Sequence, residues 1–196
     1  MKEYRIETEI IPPLLAWYDE AKRILPWRGT KDPYNIWVSE IMLQQTRVEA
    51  VKPYYDRFLQ ALPTVRDLAG AEESYLLKLW EGLGYYNRVR NMQKAAQILV
   101  ERYGGEMPAD AKEILALPGI GSYTMGAIAS IAFQIPLPAV DGNVLRILTR
   151  LYGDDSDILD LRAFRPGDNL NHIHWNLSLR TDDLIVRQYG EQIDVK

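Results

Sequence analysis

The feature that most narrows what this chain can fold into is a helical rhythm that runs to Gly153 and is cut at short intervals by proline and glycine. Val89, Met92, Ala96, Leu99 and Tyr103 recur at spacings of three and four, as do Thr124, Ile128 and Ile131. Such spacing gathers side chains on one helical face. The rhythm is interrupted at Pro33, Pro63, Gly104-Gly105 before Pro108, Pro118-Gly119 and the segment from Pro136 to Pro138, residues that end helices and make turns. A mainly α domain of short helices is predicted. The pattern changes after Tyr152. Gly153-Asp154-Asp155-Ser156-Asp157 is an acidic, turn-like stretch, Arg165-Pro166-Gly167-Asp168 reads as a turn, and residues 184–189 read as a short strand. We place a boundary near residues 154–160, giving a helical domain over 1–153 and a turn and β-like tail over 154–196.

The 196 residues, 47% hydrophobic and 26% charged, suffice for one buried core or one core plus a fragment. No apolar run reaches the roughly eighteen residues of a membrane span. The opening Met1-Lys2-Glu3-Tyr4-Arg5 leads into acidic residues rather than a signal-peptide core, so a soluble cytoplasmic protein is expected. The absence of cysteine excludes disulfides, thiolate catalysis and a thiolate-held cluster. With two histidines, His172 and His174, no protein-held metal is expected. The net charge of −4 argues at first against nucleic acid, but its distribution is uneven. Residues 1–153 hold 18 Lys+Arg against 18 Asp+Glu, whereas residues 154–196 hold 5 against 9. A neutral domain neither supports nor forbids DNA binding, for which a local basic face would matter.

Three segments could carry chemistry. Leu117-Pro118-Gly119-Ile120-Gly121, between a helical residues 110–115 and a helical run over 123–133, fits a tight hairpin feeding a helix N-terminus. Glycines let backbone approach a ligand, and free amides at a helix start favour phosphate; an ordinary Pro-Gly turn has the same sequence. In Ala139-Val140-Asp141-Gly142-Asn143-Val144, Asp141 could sit at a helix N-terminus and face developing positive charge, or serve as half of an Asp-Gly turn. In the segment from Trp37 to Thr46, Trp37, Ile41 and Val48 can share a buried stripe with Glu40 at its edge. A carboxyl beside apolar surface has a raised pKa and can donate a proton near neutral pH; a solvated helix glutamate is the commoner case.

These segments, together with Leu25-Pro26-Trp27-Arg28, Asp32-Pro33-Tyr34, Trp80-Glu81-Gly82-Leu83-Gly84-Tyr85-Tyr86 and Arg88-Val89-Arg90-Asn91, occur in one order over most of residues 12–152. In that order they resemble the adenine glycosylase (MutY-type) branch of the helix-hairpin-helix base-excision family. The resemblance implies a helix-hairpin-helix glycosylase core and hydrolysis of the N-glycosidic bond of adenine mispaired with 8-oxoguanine or guanine. It implies that Glu40 protonates the leaving base and that Asp141 stabilises the oxocarbenium-like sugar, the two opposed carboxyl states that glycoside cleavage demands. Asn143 would orient the carboxylates and Tyr123 would shape the sugar site. Strand-cutting relatives carry lysine at the Tyr123 position, since an amine can form a Schiff base and a tyrosine cannot; a monofunctional enzyme is implied. Base flipping needs a wedge, for which the resemblance implies Gln45 and Tyr85, with Trp27 and Arg28 lining the adenine pocket. Gly119 and Gly121 would cradle the DNA backbone, and Arg88 and Arg90 would contact phosphate or stand in solvent. The resemblance implies double-stranded DNA with a mispaired adenine as the partner, and a monomer in a bacterial cytoplasm is expected.

The family continues into further helices and an iron–sulfur cluster on cysteines, so the resemblance implies an incomplete domain without that cofactor. Phe164-Arg165-Pro166-Gly167-Asp168-Asn169-Leu170, Ile173-His174-Trp175, Ser178, Arg180-Thr181 and Leu184-Ile185-Val186-Arg187 instead resemble a bacterial domain of unknown function found beside MoxR-type ATPases. A junction of two coding fragments would explain this. A DNA-binding but inactive module and a non-functional fusion therefore stand beside the enzyme as alternatives.

Overall fold

The computed structural model describes residues 6–152, 158–165, 168, 173, 178 and 184–189. A wide π-type turn at Ile6–Ile10 leads into α1 (Ile11–Ala21), followed by α2 (Pro33–Leu43), α3 (Val48–Ala61), α4 (Val65–Gly70), α5 (Glu73–Trp80), α6 (Asn87–Tyr103), α7 (Ala111–Leu115), α8 (Ser122–Phe133) and α9 (Gly142–Tyr152). Strands β1 (Ile158–Ala163) and β2 (Ile185–Tyr189) pair antiparallel, Ala163 opposite Ile185, with an irregularity between Ile158 and Asp160. No helix among the described residues is long and apolar enough to cross a membrane.

Helix boundaries follow local chemistry. Asp32 caps α2, its carboxylate accepting from the amides of Tyr34 at 2.8 Å and Asn35 at 3.2 Å, and Pro33 stands at the first helical position, where no amide is needed. Asp110 caps α7 in the same way through the amides of Lys112 and Glu113. Thr64 and Asp67 form a reciprocal capping box at the start of α4. Gly104, at φ 65°, ends α6 in the left-handed region, and the Gly105 amide reaches back to the Leu99 carbonyl.

α2 is the axle of the core. Tyr34, Ile36, Trp37, Val38, Ile41 and Met42 are all buried, as a helix apolar on every side must be. It packs against α3 and α8. Phe58 of α3 meets Trp80 of α5 edge-to-face, ring centroids 5.9 Å apart, and Leu68, Leu76, Met92, Leu99, Ile114 and Ile128 complete the same core. Each such buried side chain contributes roughly 1.5–3 kcal/mol. The expected face of Val89, Met92, Ala96 and Leu99 is buried as predicted.

Two expectations are corrected. Val48 does not continue the stripe of Trp37 and Ile41, because α2 stops at Leu43 and Val48 opens the next helix. Ile131 is 44% exposed, on the solvent side of α8. The tail residues at 173, 184 and 186 lie against α9: Ile173 and Val186 are buried with Leu145, flanked by Val140, Phe164 and Leu184. The Arg165–Asp168 turn closes through the Asp168 amide on the Arg165 carbonyl at 3.0 Å.

Candidate active site

A cleft of about 790 Å³ opens between α1, α2, α8 and the loop after α1, lined by Tyr18, Trp27, Arg28, Ser39, Glu40, Leu43, Val48, Tyr123 and Ile131. That volume falls in the range of small-molecule sites. Glu40 comes from the second half of α2, where the neighbouring side chains are core, so its carboxyl is held against apolar packing. Burial raises its pKa, the nearby Asp141 charge raises it further, and a hydrogen bond from Tyr123 partly offsets the rise. Tyr123 projects from the first turn of α8. Its phenol is pushed above the ordinary tyrosine value by burial, by the Glu40 charge and bond, and by Asp141, so it remains a hydroxyl donor at neutral pH.

Asp141 caps α9. One oxygen accepts from the amides of Asn143 at 3.0 Å and Val144 at 2.9 Å, and the other from the Asn143 side-chain amide at 2.7 Å. Arg146, one turn on, donates in turn to the Asn143 side-chain oxygen. The carboxylate is thus fixed by its own helix start. Its place relative to Glu40 depends on a close backbone approach: a Cβ on Gly126, in mid α8, would lie 2.1 Å from the Pro138 carbonyl oxygen. Sequence reasoning missed both Gly126 and Arg146. A lone glycine inside a helical run signals such an approach, and the three-residue step from Asn143 to Arg146 signals a helix-surface contact.

Trp27 is half-buried, edge-on to Tyr55 with centroids 5.4 Å apart. Arg28 is exposed, lies over the Tyr18 ring at 5.4 Å and donates to the Arg23 carbonyl at 3.0 Å. Both face the cleft. In the 117–121 hairpin, Gly119 has φ 78°, and a Cβ there would meet the Asn91 Cβ at 2.8 Å; the turn and its seat on α6 both demand glycine. Gly121 is extended (φ −93°, ψ 178°) and offers no side chain to cap α8, which leaves the first α8 amides open to an anion.

Gln45 and Tyr85 are exposed and left-handed, at φ 57° and 47°, a region that costs non-glycine residues energy. Arg88, expected at a phosphate or in solvent, is at neither. Its guanidinium donates to the carbonyls of Ile41 at 2.8 Å, Gln44 at 2.6 Å, Leu83 at 2.9 Å and Gly84 at 3.2 Å, with Met42 at 3.4 Å, and its Nε is buried without an acceptor. Arg90 pairs instead with Glu73 at 2.7 Å. The cluster implied by the resemblance does not fit these residues, since the chain has no cysteine. Among the described residues no group of His, Asp and Glu is placed to hold a metal ion.

The helical fold that carries this site is shared with solved DNA-repair proteins. A thermostable thymine-DNA glycosylase superposes with a TM-score of 0.66 at 34% identity, over 69% of this chain and 63% of that one. Endonuclease III in a trapped covalent complex with DNA superposes with a TM-score of 0.64 at 27% identity, over 73% and 68%. Residues 38–163 match the family described as HhH-GPD superfamily base excision DNA repair protein, and the chain belongs to that superfamily. The adenine DNA glycosylase of Mus musculus is 45% identical over 180 residues, covering 87% of this chain and 33% of that protein. The chain spans about a third of the length of the curated relatives it matches.

Proposed function

We propose that the chain is the catalytic part of a monofunctional DNA glycosylase that releases adenine mispaired with 8-oxoguanine or guanine. The observation that carries this reading is the pairing of Glu40 and Tyr123 in the cleft, with Asp141 close enough for its charge to act on Glu40; Glu40 is raised by burial and Asp141 is held at a helix N-terminus. The protonated Glu40 carboxyl donates its proton to the departing adenine, whose glycosidic electrons leave with the base. Asp141 faces the cationic sugar until water adds, giving its proton to the Glu40 carboxylate left by the first step, and Asn143 holds the second Asp141 oxygen. Tyr123 supplies no amine, so no Schiff base forms and the strand stays intact. Trp27 and Arg28 flank the base, Gln45 and Tyr85 fill the gap it leaves, and Gly119 and Gly121 bring the α8 amides to the DNA backbone. The likeness to DNA-complexed Endonuclease III supports DNA as the partner; a monomer in a bacterial cytoplasm completes the proposed reading.

Incubation with a duplex carrying adenine opposite 8-oxoguanine, followed by alkali, tests it. Alkali-dependent cleavage abolished by Glu40→Gln is expected; strand cleavage without alkali, or cleavage that survives the substitution, refutes it. One observation favours a second reading, a DNA-binding module without turnover. No residue of α1 is buried, and Leu14, Leu15 and Trp17 are more than half exposed, so the α1 wall of the cleft has little to hold it. Duplex binding without base release identifies that case. We also read the chain beyond about residue 154 as of separate origin, a view supported by its acidic excess; the family match, however, extends to residue 163. Sequencing across codons 150–165 in the source DNA tests it, and an uninterrupted native gene rules out an assembly error.

A further inference from the structure

Among the described residues three non-glycine residues have positive φ, and two of them, Gln45 and Tyr85, occupy turns that are forty residues apart in sequence and joined by one side chain. The third, Gln134, ends α8 and is explained by its role as a helix cap. Gln45 is the third residue of the Leu43–Thr46 turn that follows α2, closed by the Thr46 amide on the Leu43 carbonyl at 3.3 Å, and Tyr85 stands directly before the N-cap Tyr86 of α6; both side chains are exposed. Between them lies Arg88. Its Nη1 bonds the carbonyls at the C-terminal end of α2 and of Gln44, immediately before Gln45. Its Nη2 bonds Leu83 and Gly84, immediately before Tyr85. The guanidinium lies 5.6 Å from the centre of the Tyr85 ring and 5.5 Å from that of Trp80, while the Trp80 indole donates to the same Gly84 carbonyl at 3.1 Å. A planar cation with donors on both sides can satisfy two sets of carbonyls at a fixed separation; an ammonium cannot.

We propose that Arg88 is a positioning residue that locks the Gln45 and Tyr85 turns to one another, setting the spacing and direction of the two side chains that enter the duplex. This rests on the glycosylase reading for its consequence but not for its geometry. The terminal nitrogens are committed to carbonyls and the remaining donor, Nε, is buried, so no exposed donor is left for a phosphate. The lock acts before DNA arrives: it holds two strained turns in the form that insertion requires, which spares the complex the ordering of both loops.

The test uses the full chain and Arg88→Lys, with Arg88→Met as a second variant that removes the charge. Amide hydrogen exchange without DNA comes first. Faster exchange at both residues 44–46 and 83–86 in either folded variant, with the α6 core unchanged, is expected; unchanged exchange at either turn overturns the lock. Base opening is then read with 2-aminopurine in place of the target adenine. Arg88→Lys should lower extrusion about tenfold or more while leaving the slope of log affinity against log salt at the parental value. A slope reduced by about one identifies a phosphate contact instead and overturns the proposal. In a Gln45→Ala, Tyr85→Ala background the Arg88→Lys effect on extrusion should vanish, because there is nothing left to position; full additivity overturns it. Should the parent open no duplex at all, the glycosylase reading fails while the exchange experiment still decides the lock.

Discussion

Gly126→Ala isolates the spacing between the two carboxyl groups. The added Cβ would sit 2.1 Å from the Pro138 carbonyl oxygen, 2.8 Å from its carbon and 3.3 Å from the Ala139 Cα. Ordinary contact begins near 3.4 Å, so the 138–139 backbone must retreat from α8 by about 1 Å. These atoms are backbone on both sides, and no flexible side-chain end is available to swing away. Asp141 follows two residues later and caps α9 through bonds of 2.9 and 3.0 Å, so the retreat carries the carboxylate, Asn143 and the helix start with it. Overpacking of this kind costs about 1–3 kcal/mol, partly offset by roughly 1 kcal/mol from alanine's better helix propensity. The net cost of up to about 2 kcal/mol should therefore leave the variant folded, with a melting temperature lowered by at most about 8 °C. Misplacement of a reacting group by about 1 Å costs on the order of a hundredfold in rate. Single-turnover release of adenine, measured by alkali cleavage at saturating enzyme, should fall by that factor while duplex affinity, which we assign to the 117–121 hairpin, holds. Parental release from a folded Gly126→Ala chain would refute the argument that this backbone approach sets the place of Asp141.

Three further outcomes follow from the same site. Glu40→Gln should lower adenine release by about 10²–10⁴ yet raise the melting temperature at neutral pH. The folded state lifts the Glu40 pKa and so favours its neutral form, a contribution present below the ordinary value of 4.5 and lost as pH rises through the folded value; melts of both proteins across pH should converge in acid, and a variant less stable than the parent at neutral pH contradicts this. Tyr123→Phe removes the bond that lowers Glu40, so the alkaline limb of the release profile should move to higher pH, and a shift to lower pH would show that the phenol does not donate to Glu40. Gly119→Ala meets both a positive φ and the Asn91 Cβ; a stability loss of about 1–3 kcal/mol, with weaker duplex binding in titrations, is expected, and an unchanged melt and affinity would show that the hairpin tolerates a side chain.

Local chemistry made much of this legible in the sequence. Periodicity marks the α6 face of Val89, Met92, Ala96 and Leu99, and the ordered motifs point to Glu40 and Tyr123, which meet in one cleft, and to Asp141, whose charge acts on both. The caps at Asp32, Asp110 and Asp141 act over two or three residues, which is the reach of a carboxylate to the next amides. Other features depend on residues distant in the chain, and no local pattern encodes them. Arg88 reads as a surface cation beside Tyr85, but its acceptors lie 44 to 47 residues back in sequence as well as close by, so only folding decides that it joins two turns and does not contact a phosphate. Gly126 reads as a weak point in a helix until the 138–139 backbone is laid against it. The break after Leu43 separates Val48 from the Trp37 stripe, and the α2 carbonyls it leaves open are met by that same distant guanidinium. The sequence by itself determined the helices, their caps and the residue types of the cleft, because those follow from interactions a turn or less in length. Tertiary structure alone decided how far apart the carboxyl groups stand and which side chains hold the wedge turns, because those distances are set where separate helices press backbone against backbone.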